Sequence, residues 1–315
     1  MPAAAALVVA TLFLCGCGVG FGAGTGEGDA RLTVTRDYGD QILVEESVGP
    51  LTQSSTAMRL LDGAAQVETS YGGGFVDSID SVASASGSRS SDWFFFVNGV
   101  AAERGAAEFL VRTGDRMWWD YRDWTDAMEV NAVVGSFPAP LTGGYDDQVW
   151  PVSLVCLDAA AACRVARSRL EEAGVEIAAG DPDEDSLRIL VGTWRAVAQV
   201  PDAARLDSGP ATSGVFADFA RQDGDERLIG LDESSRAVAD FGIHSGLIAA
   251  LRRDGDPPVW LVTGTDRPGV EAAAGALTPD GLRNRYAAAV APEGVFSLPV
   301  DAAPPTAALP GGGRG

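Results

Sequence analysis

The sequence predicts an α+β protein made of two units in series. From Arg31 to about Asp126, short alternating strand segments are broken by turn residues and a single helical stretch. From Val149 onward, strands alternate with helical text and then run on as several strands in succession. The chain has 315 residues, 46% of them hydrophobic, with seven Trp and twelve Phe, enough to fill two cores.

The N-terminus comes first. Ala3 to Leu14 (AAAALVVATLFL) is an apolar run, too short for a bilayer-spanning helix of about 20 residues but suited to the core of a secretory signal. The Leu14-Cys15-Gly16-Cys17 sequence resembles a bacterial lipobox. That implies a signal peptide over residues 1–16, an acylated Cys17, and an exported chain anchored by lipid to the outer face of the cell membrane. No Lys or Arg precedes the run, so either the free amine carries the positive charge or the true start lies elsewhere. Residues 17–30 are mostly small and read as a flexible tether.

In the first unit, residues 31–126, Arg31 to Thr35 alternates as a strand. Tyr38-Gly39-Asp40 is a turn, and Gln41 to Glu45 is the hairpin partner. Ser55 or Thr56 caps a short helix through Met58, Leu60 and Leu61. Asp92 to Val97 is an aromatic strand, Asn98-Gly99 a hairpin turn, and Met117 to Tyr121 a further strand. Residues 127–148 read as a linker or a last edge strand.

In the second unit, residues 149–302, Val152 to Leu157 is a strand, Ala159 to Ala173 a helix, and Val175 to Ala178 a returning strand. Leu187 to Val191 leads into Gly192-Thr193. Three antiparallel strands follow, broken by Asp223-Gly224 and Glu233-Ser234-Ser235. Leu247 to Arg252 and Val259 to Val262 form a further pair. Helical text resumes at Pro268 to Leu277 and from Pro279 onward, and residues 303–315 read as a disordered tail. The likeness of Leu190-Val191-Gly192-Thr193 to Leu261-Val262-Thr263-Gly264 suggests a weak internal repeat.

Charge and composition exclude several functions. A net charge of −21 argues against nucleic acid and against adsorption to anionic lipid. All 23 basic residues are arginine, so Schiff-base and P-loop lysines are excluded. The single histidine, His244, leaves little room for a histidine-rich metal site or a conventional triad. With Cys15 and Cys17 assigned to export, Cys156 and Cys163 remain as an even pair in an oxidising compartment. The reading is a disulfide from a strand end to the first turn of the next helix, with Asp158 as helix cap; two buried free thiols are the alternative.

The stretch from Leu32 to Trp124 resembles the bacterial transcobalamin-like domain family, related to the C-terminal β-domain of vitamin B12 carriers. The resemblance rests on Thr56-Ala57-Met58-Arg59-Leu60-Leu61, on Val67 to Val76 with Ile79, on Asp92 to Val100, and on Gly105-Ala106, Gly114-Asp115 and Trp119 to Tyr121. It implies a β-grasp-like domain, a small sheet covered by one helix, followed here by a second α+β domain. It also implies candidate ligand-binding residues Tyr71, Gly72, Gly73, Phe75, Trp93, Phe95, Trp119 and Tyr121, with cobalamin or a related corrinoid as the ligand. In the animal carriers a helical barrel supplies the other half of the clamp, and no such barrel is legible in this sequence.

Each candidate has a plainer reading. Trp93 and Phe95 share one strand face and Phe94 and Phe96 the other, so packing under the helix or against the second unit accounts for them equally. Tyr71-Gly72-Gly73-Gly74-Phe75 reads as a tight turn. Asp181, Asp183 and Asp185 have calcium-loop spacing but lack its Gly and final Glu. Gly242-Ile243-His244-Ser245-Gly246 has His where a nucleophile elbow has Ser. The functional reading is therefore a membrane-anchored, non-enzymatic module without cofactor or metal. It would mediate contacts with an envelope or transporter protein, the alternative being corrinoid capture for an uptake system.

Overall fold

A computed structural model describes residues 28–71, 74–87, 90–180 and 185–301. Cys17 with the rest of the leader, Gly72, Gly73, Asp181, Asp183 and the tail lie outside the described residues.

The chain is α+β throughout. β1 (Ala30–Arg36) and β2 (Gln41–Val48) form the expected hairpin. α1 (Ala57–Ala64) is capped by Thr56, whose hydroxyl accepts from the Arg59 N–H. β3 (Val67–Ser70), β4 (Phe75–Ile79) and β5 (Val82–Ala83) make a small antiparallel sheet. β6 (Ser91–Val97), β7 (Val100–Ala101) and β8 (Arg116–Asp123) complete a five-stranded sheet of order β2-β1-β8-β6-β7. Its central pair, β1 and β8, is parallel, and the other pairings are antiparallel.

Asn98 (φ 53°) and Gly99 (φ 80°) form the β6–β7 turn, the left-handed pair such a hairpin requires. Asn98 does more than turn the chain. It is buried, donates to Asp115 Oδ1 and the Gly144 carbonyl, and accepts from the Arg116 N–H. A Cβ on Gly99 would come within 2.7 Å of the Val133 carbonyl oxygen.

That contact belongs to the segment after β8, read from sequence as a linker or edge strand. It forms neither. Its backbone bonds to Gly99 and Ala101 on one side and to Tyr286 on the other, and it ends in the short α2 (Ala139–Thr142). Val133, Val134 and Phe137 are buried, so apolar content turns it into a strap packed between the units.

β9 (Val152–Cys156), α3 (Ala160–Glu172) and β10 (Leu187–Thr193) open the second half, followed by α4 (Trp194–Val197), a 3₁₀ turn (Ala203–Ser208) and α5 (Pro210–Ser213). β11 (Ala217–Gln222), β12 (Asp225–Leu231) and β13 (Ala237–Gly242) form the expected meander. Next come β14 (Gly246–Leu251), β15 (Val259–Gly264), α6 (Arg267–Gly275), α7 (Pro279–Leu282), β16 (Ala287–Ala291) and β17 (Gly294–Leu298). The main sheet has order β17-β16-β14-β15-β10-β9, with β9, β10 and β15 parallel. The two similar strand ends, 190–193 and 261–264, pair in register as neighbours.

Three expectations are corrected. Val175 to Ala178 makes only a single bridge, Ile177 to Val152. The helix expected from Pro279 stops after four residues, and β16 and β17 replace it. Ala287-Ala288-Ala289-Val290-Ala291 has high helix propensity, but every residue is buried between β14 and β17, and packing overrides propensity. Asp158 does not cap α3; its carboxylate accepts from the Thr193 N–H and hydroxyl instead. The Cys156–Cys163 disulfide is formed, with Cα atoms 5.8 Å apart, and joins the end of β9 to the first turn of α3.

The halves share their interior. One cluster of buried side chains contains Leu32, Trp119, Phe137 and Trp260, and another contains Tyr38, Phe96, Trp118, Phe216 and Tyr286.

Candidate functional site

The aromatic strand β6 decides which surfaces are free. Its register with β8 sets Trp93 opposite Tyr121 and Phe95 opposite Trp119 on one face. Phe94 opposite Asp120 and Phe96 opposite Trp118 lie on the other.

On the first face, Phe95 stacks on Trp119 at 4.5 Å between centroids, and Trp93 lies 5.3 Å from Tyr121. Two of the polar tips are satisfied by β5: Trp93 Nε1 donates to the Val82 carbonyl and the Tyr121 hydroxyl to that of Ala83, whereas the buried Trp119 Nε1 has no acceptor among the described residues. Trp93 and Trp119 are only 6% and 2% exposed, in one cluster with Leu61, Val76 and Ile79. Four of the eight candidate residues therefore come together, but as a stacked layer under α1 and the small sheet.

The second face meets the other half of the molecule. Tyr286 touches Phe96, Trp118 and Tyr38 edge-on at 5.0–5.5 Å, and Tyr38 meets Phe216 at 5.1 Å. At its centre lies Asp120, fully buried. Its Oδ1 accepts from the Thr35 hydroxyl at 2.5 Å and the Gly39 N–H at 3.1 Å, and its Oδ2 from the Tyr286 hydroxyl at 2.9 Å. Burial pushes its pKa up to about 6, against the opposing pull of the Thr35 and Tyr286 hydrogen bonds. Burial also pushes Tyr38 up to about 12 and Tyr286 well above its ordinary value. Arg122, buried as well, spreads over Phe94 at 3.9 Å and donates to the Ala127 and Met128 carbonyls. Asp120 and Arg122 are candidate functional-site residues that composition and motifs do not single out. The available signal was their placement in Trp-Trp-Asp-Tyr-Arg-Asp-Trp, where alternation sends both to the face shared with Phe94 and Phe96.

The remaining described candidates stand apart from this layer. Tyr71 (φ 49°) sits at the tip between β3 and β4 with 94% of its surface exposed, and Phe75 is 41% exposed. Gly72 and Gly73 lie between them, outside the described residues.

His244 Nδ1 lies 2.5 Å from Asp266 Oδ2, while Asp266 Oδ1 caps α6 through the Gly269 N–H. Ser245 is buried and its hydroxyl donates to the Phe241 carbonyl at 2.6 Å. His244 is thus engaged by a helix cap, and Ser245 Oγ is directed to a backbone oxygen, so these two do not form a nucleophile and base. Among the described residues, no group of three or more His, Cys, Asp or Glu could hold a metal ion. No helix among them is long and apolar enough to cross a membrane.

Residues 54–123, from α1 through β8, match a family model described as Domain of unknown function (DUF4430). The match falls within the stretch whose sequence resembles the bacterial transcobalamin-like family and supports that resemblance. No curated protein matches the chain.

Proposed function

We propose that this chain is an exported, lipid-anchored binding module that works through protein contact at the cell envelope. Its first unit is read as a β-grasp-like domain of the transcobalamin C-terminal type. The parallel β1–β8 pair at the centre of the order β2-β1-β8-β6 and the helix between β2 and β6 support that reading.

One observation carries the functional choice. Both faces of the aromatic strand are filled by the protein itself, whereas Tyr71 and Phe75 stand out at a hairpin tip. Exposed aromatics are the usual anchors of a protein interface. A flat corrinoid would need the Trp93–Trp119 layer opened. The second half supplies a mixed sheet rather than a helical barrel to close over a ring.

Photo-crosslinking from position 71 on intact cells should trap one envelope or transporter protein, and Phe75→Ser should abolish the adduct. Calorimetry with cobalamin and cobinamide should give no heat; micromolar binding weakened by Trp93→Phe would replace this reading with corrinoid capture. For the anchor, mass spectrometry of the membrane fraction should find an acylated N-terminal Cys17, and a Cys17→Ala protein that stays membrane-bound would refute it.

A further inference from the structure

We propose that the cleft at the amino ends of β10 and β15 binds a small polyvalent oxyanion, independently of the hairpin tip. Sheet register builds this corner. Arg188 of β10 lies opposite Val259 of β15, and Val259 lies opposite Leu251, the last residue of β14. Arg252 and Arg253 therefore leave the sheet beside Arg188. The 3₁₀ turn Ala203–Ser208 adds Arg205, which donates to the Arg252 and Thr212 carbonyls at 3.2 and 2.9 Å. Together the four arginines line a cavity of about 480 Å³, within the usual size of small-ligand sites.

The protein does not saturate these cations. Arg252, its side chain 2% exposed, is satisfied by Glu103 at 2.6 Å and the Asp256 carbonyl at 2.8 Å. The others are less committed. Asp202 takes one nitrogen of Arg188 at 2.6 Å and lies 3.6 Å from Arg253, which is 57% exposed. Arg188 Nε is buried and has no acceptor among the described residues. Arg205 bonds only to carbonyl oxygens, with no carboxylate within ion-pair distance among the described residues. Four guanidinium groups thus face the carboxylates of Asp202, Asp256 and Glu103, an excess of cation in a chain of net charge −21.

Crowded like charges repel, and guanidinium forks match the paired oxygens of carboxylate and phosphate. Because the overall field of the molecule repels anions, affinity has to come from these short-range contacts. Arg205 and Arg253 have donors to spare at the cleft, which favours a ligand of more than one charge.

Titration calorimetry of the full chain at low salt, with inorganic phosphate, pyrophosphate and citrate as separate probes, tests this. At least one should bind with a Kd below about 1 mM. Arg205→Gln should weaken it by about tenfold or more, the loss expected for a charge-assisted hydrogen bond. Arg253→Gln, at an exposed position, should weaken it without changing the melting temperature of the free protein. Binding of the phosphates alone identifies a phosphate-bearing ligand, and binding of citrate alone a carboxylate. Silence from all three at about 10 mM, or binding that neither variant weakens, overturns the proposal.

Discussion

Replacing Asp120 by Asn isolates the cost of the one carboxylate enclosed between the two halves. Its ordinary pKa is 3.8, and burial raises it to about 6 in the folded protein. Between these values the native carboxyl holds its proton while the unfolded one does not. The stabilisation from this group is therefore complete below the unfolded pKa and is lost as pH rises through the folded one. The slope approaches about 1.4 kcal/mol per pH unit between the two values, so the loss between pH 4 and 7 is about 2 kcal/mol. Asn keeps the shape and the oxygen that accepts from Thr35 and Gly39, but cannot ionise. Urea unfolding followed by tryptophan fluorescence at pH 4, 5, 6 and 7 should show the stability of Asp120→Asn improving relative to the parent by about that amount. The comparison cancels the other carboxylates, among them Glu103 and Asp232, whose depressed pKa values act in the opposite direction. Parallel curves for the two proteins would refute the assignment of a raised pKa to Asp120.

At the alkaline end, Tyr38, pushed up to about 12 by burial, stays neutral in the fold above its ordinary value of 10. Stability should therefore fall as pH rises from 10 towards 12, and Tyr38→Phe should remove part of that loss in the same unfolding assay. The Cys156–Cys163 bond closes a loop with a sequence separation of seven, and Cys156→Ala should lower stability by about 2–3 kcal/mol. Equal urea midpoints for the oxidised and reduced parent would count against that contribution.

The elements legible in the sequence are those whose local signals and tertiary surroundings agree. The β1–β2 hairpin, the Thr56 cap, the Asn98-Gly99 turn and the β11–β13 meander each carry their own turn or cap chemistry. The Ala287–Ala291 strand does not, because alanine carries no periodicity and its environment comes from β14 and β17, distant or later in the chain. Asp158 failed as a cap for a similar reason: Thr193, 35 residues away, takes its carboxylate. The aromatic residues of β6 and β8 stand out in the sequence by their density, and the fold brings them into contact. Which side they serve was not legible, since a packed layer and a binding platform have the same composition. The arginine corner was invisible because Arg188, Arg205 and Arg252 are separated in sequence and meet only through sheet register.

The strap from Val130 to Thr142 links these observations. A free linker would let the first unit present both faces of its sheet, as a clamp over a flat ligand must. Here the strap bonds to the β7 turn and to Tyr286, and Phe137 packs against Trp260 of the second sheet at 5.9 Å. Glu103 reaches across to Arg252, and Glu45 pairs with Arg283. The face bearing Phe96 and Trp118 is thereby committed to the interior, with Asp120 sealed beneath Tyr286. The exposed aromatics of the first unit, Tyr71 and Phe75, lie at its rim, at the β3–β4 tip. Glu103 also holds Arg252 within the arginine corner, so the first unit helps to shape the second unit's cleft. Movement between the halves would then shift Arg252, and with it the carbonyl that accepts from Arg205, and so reshape the cleft.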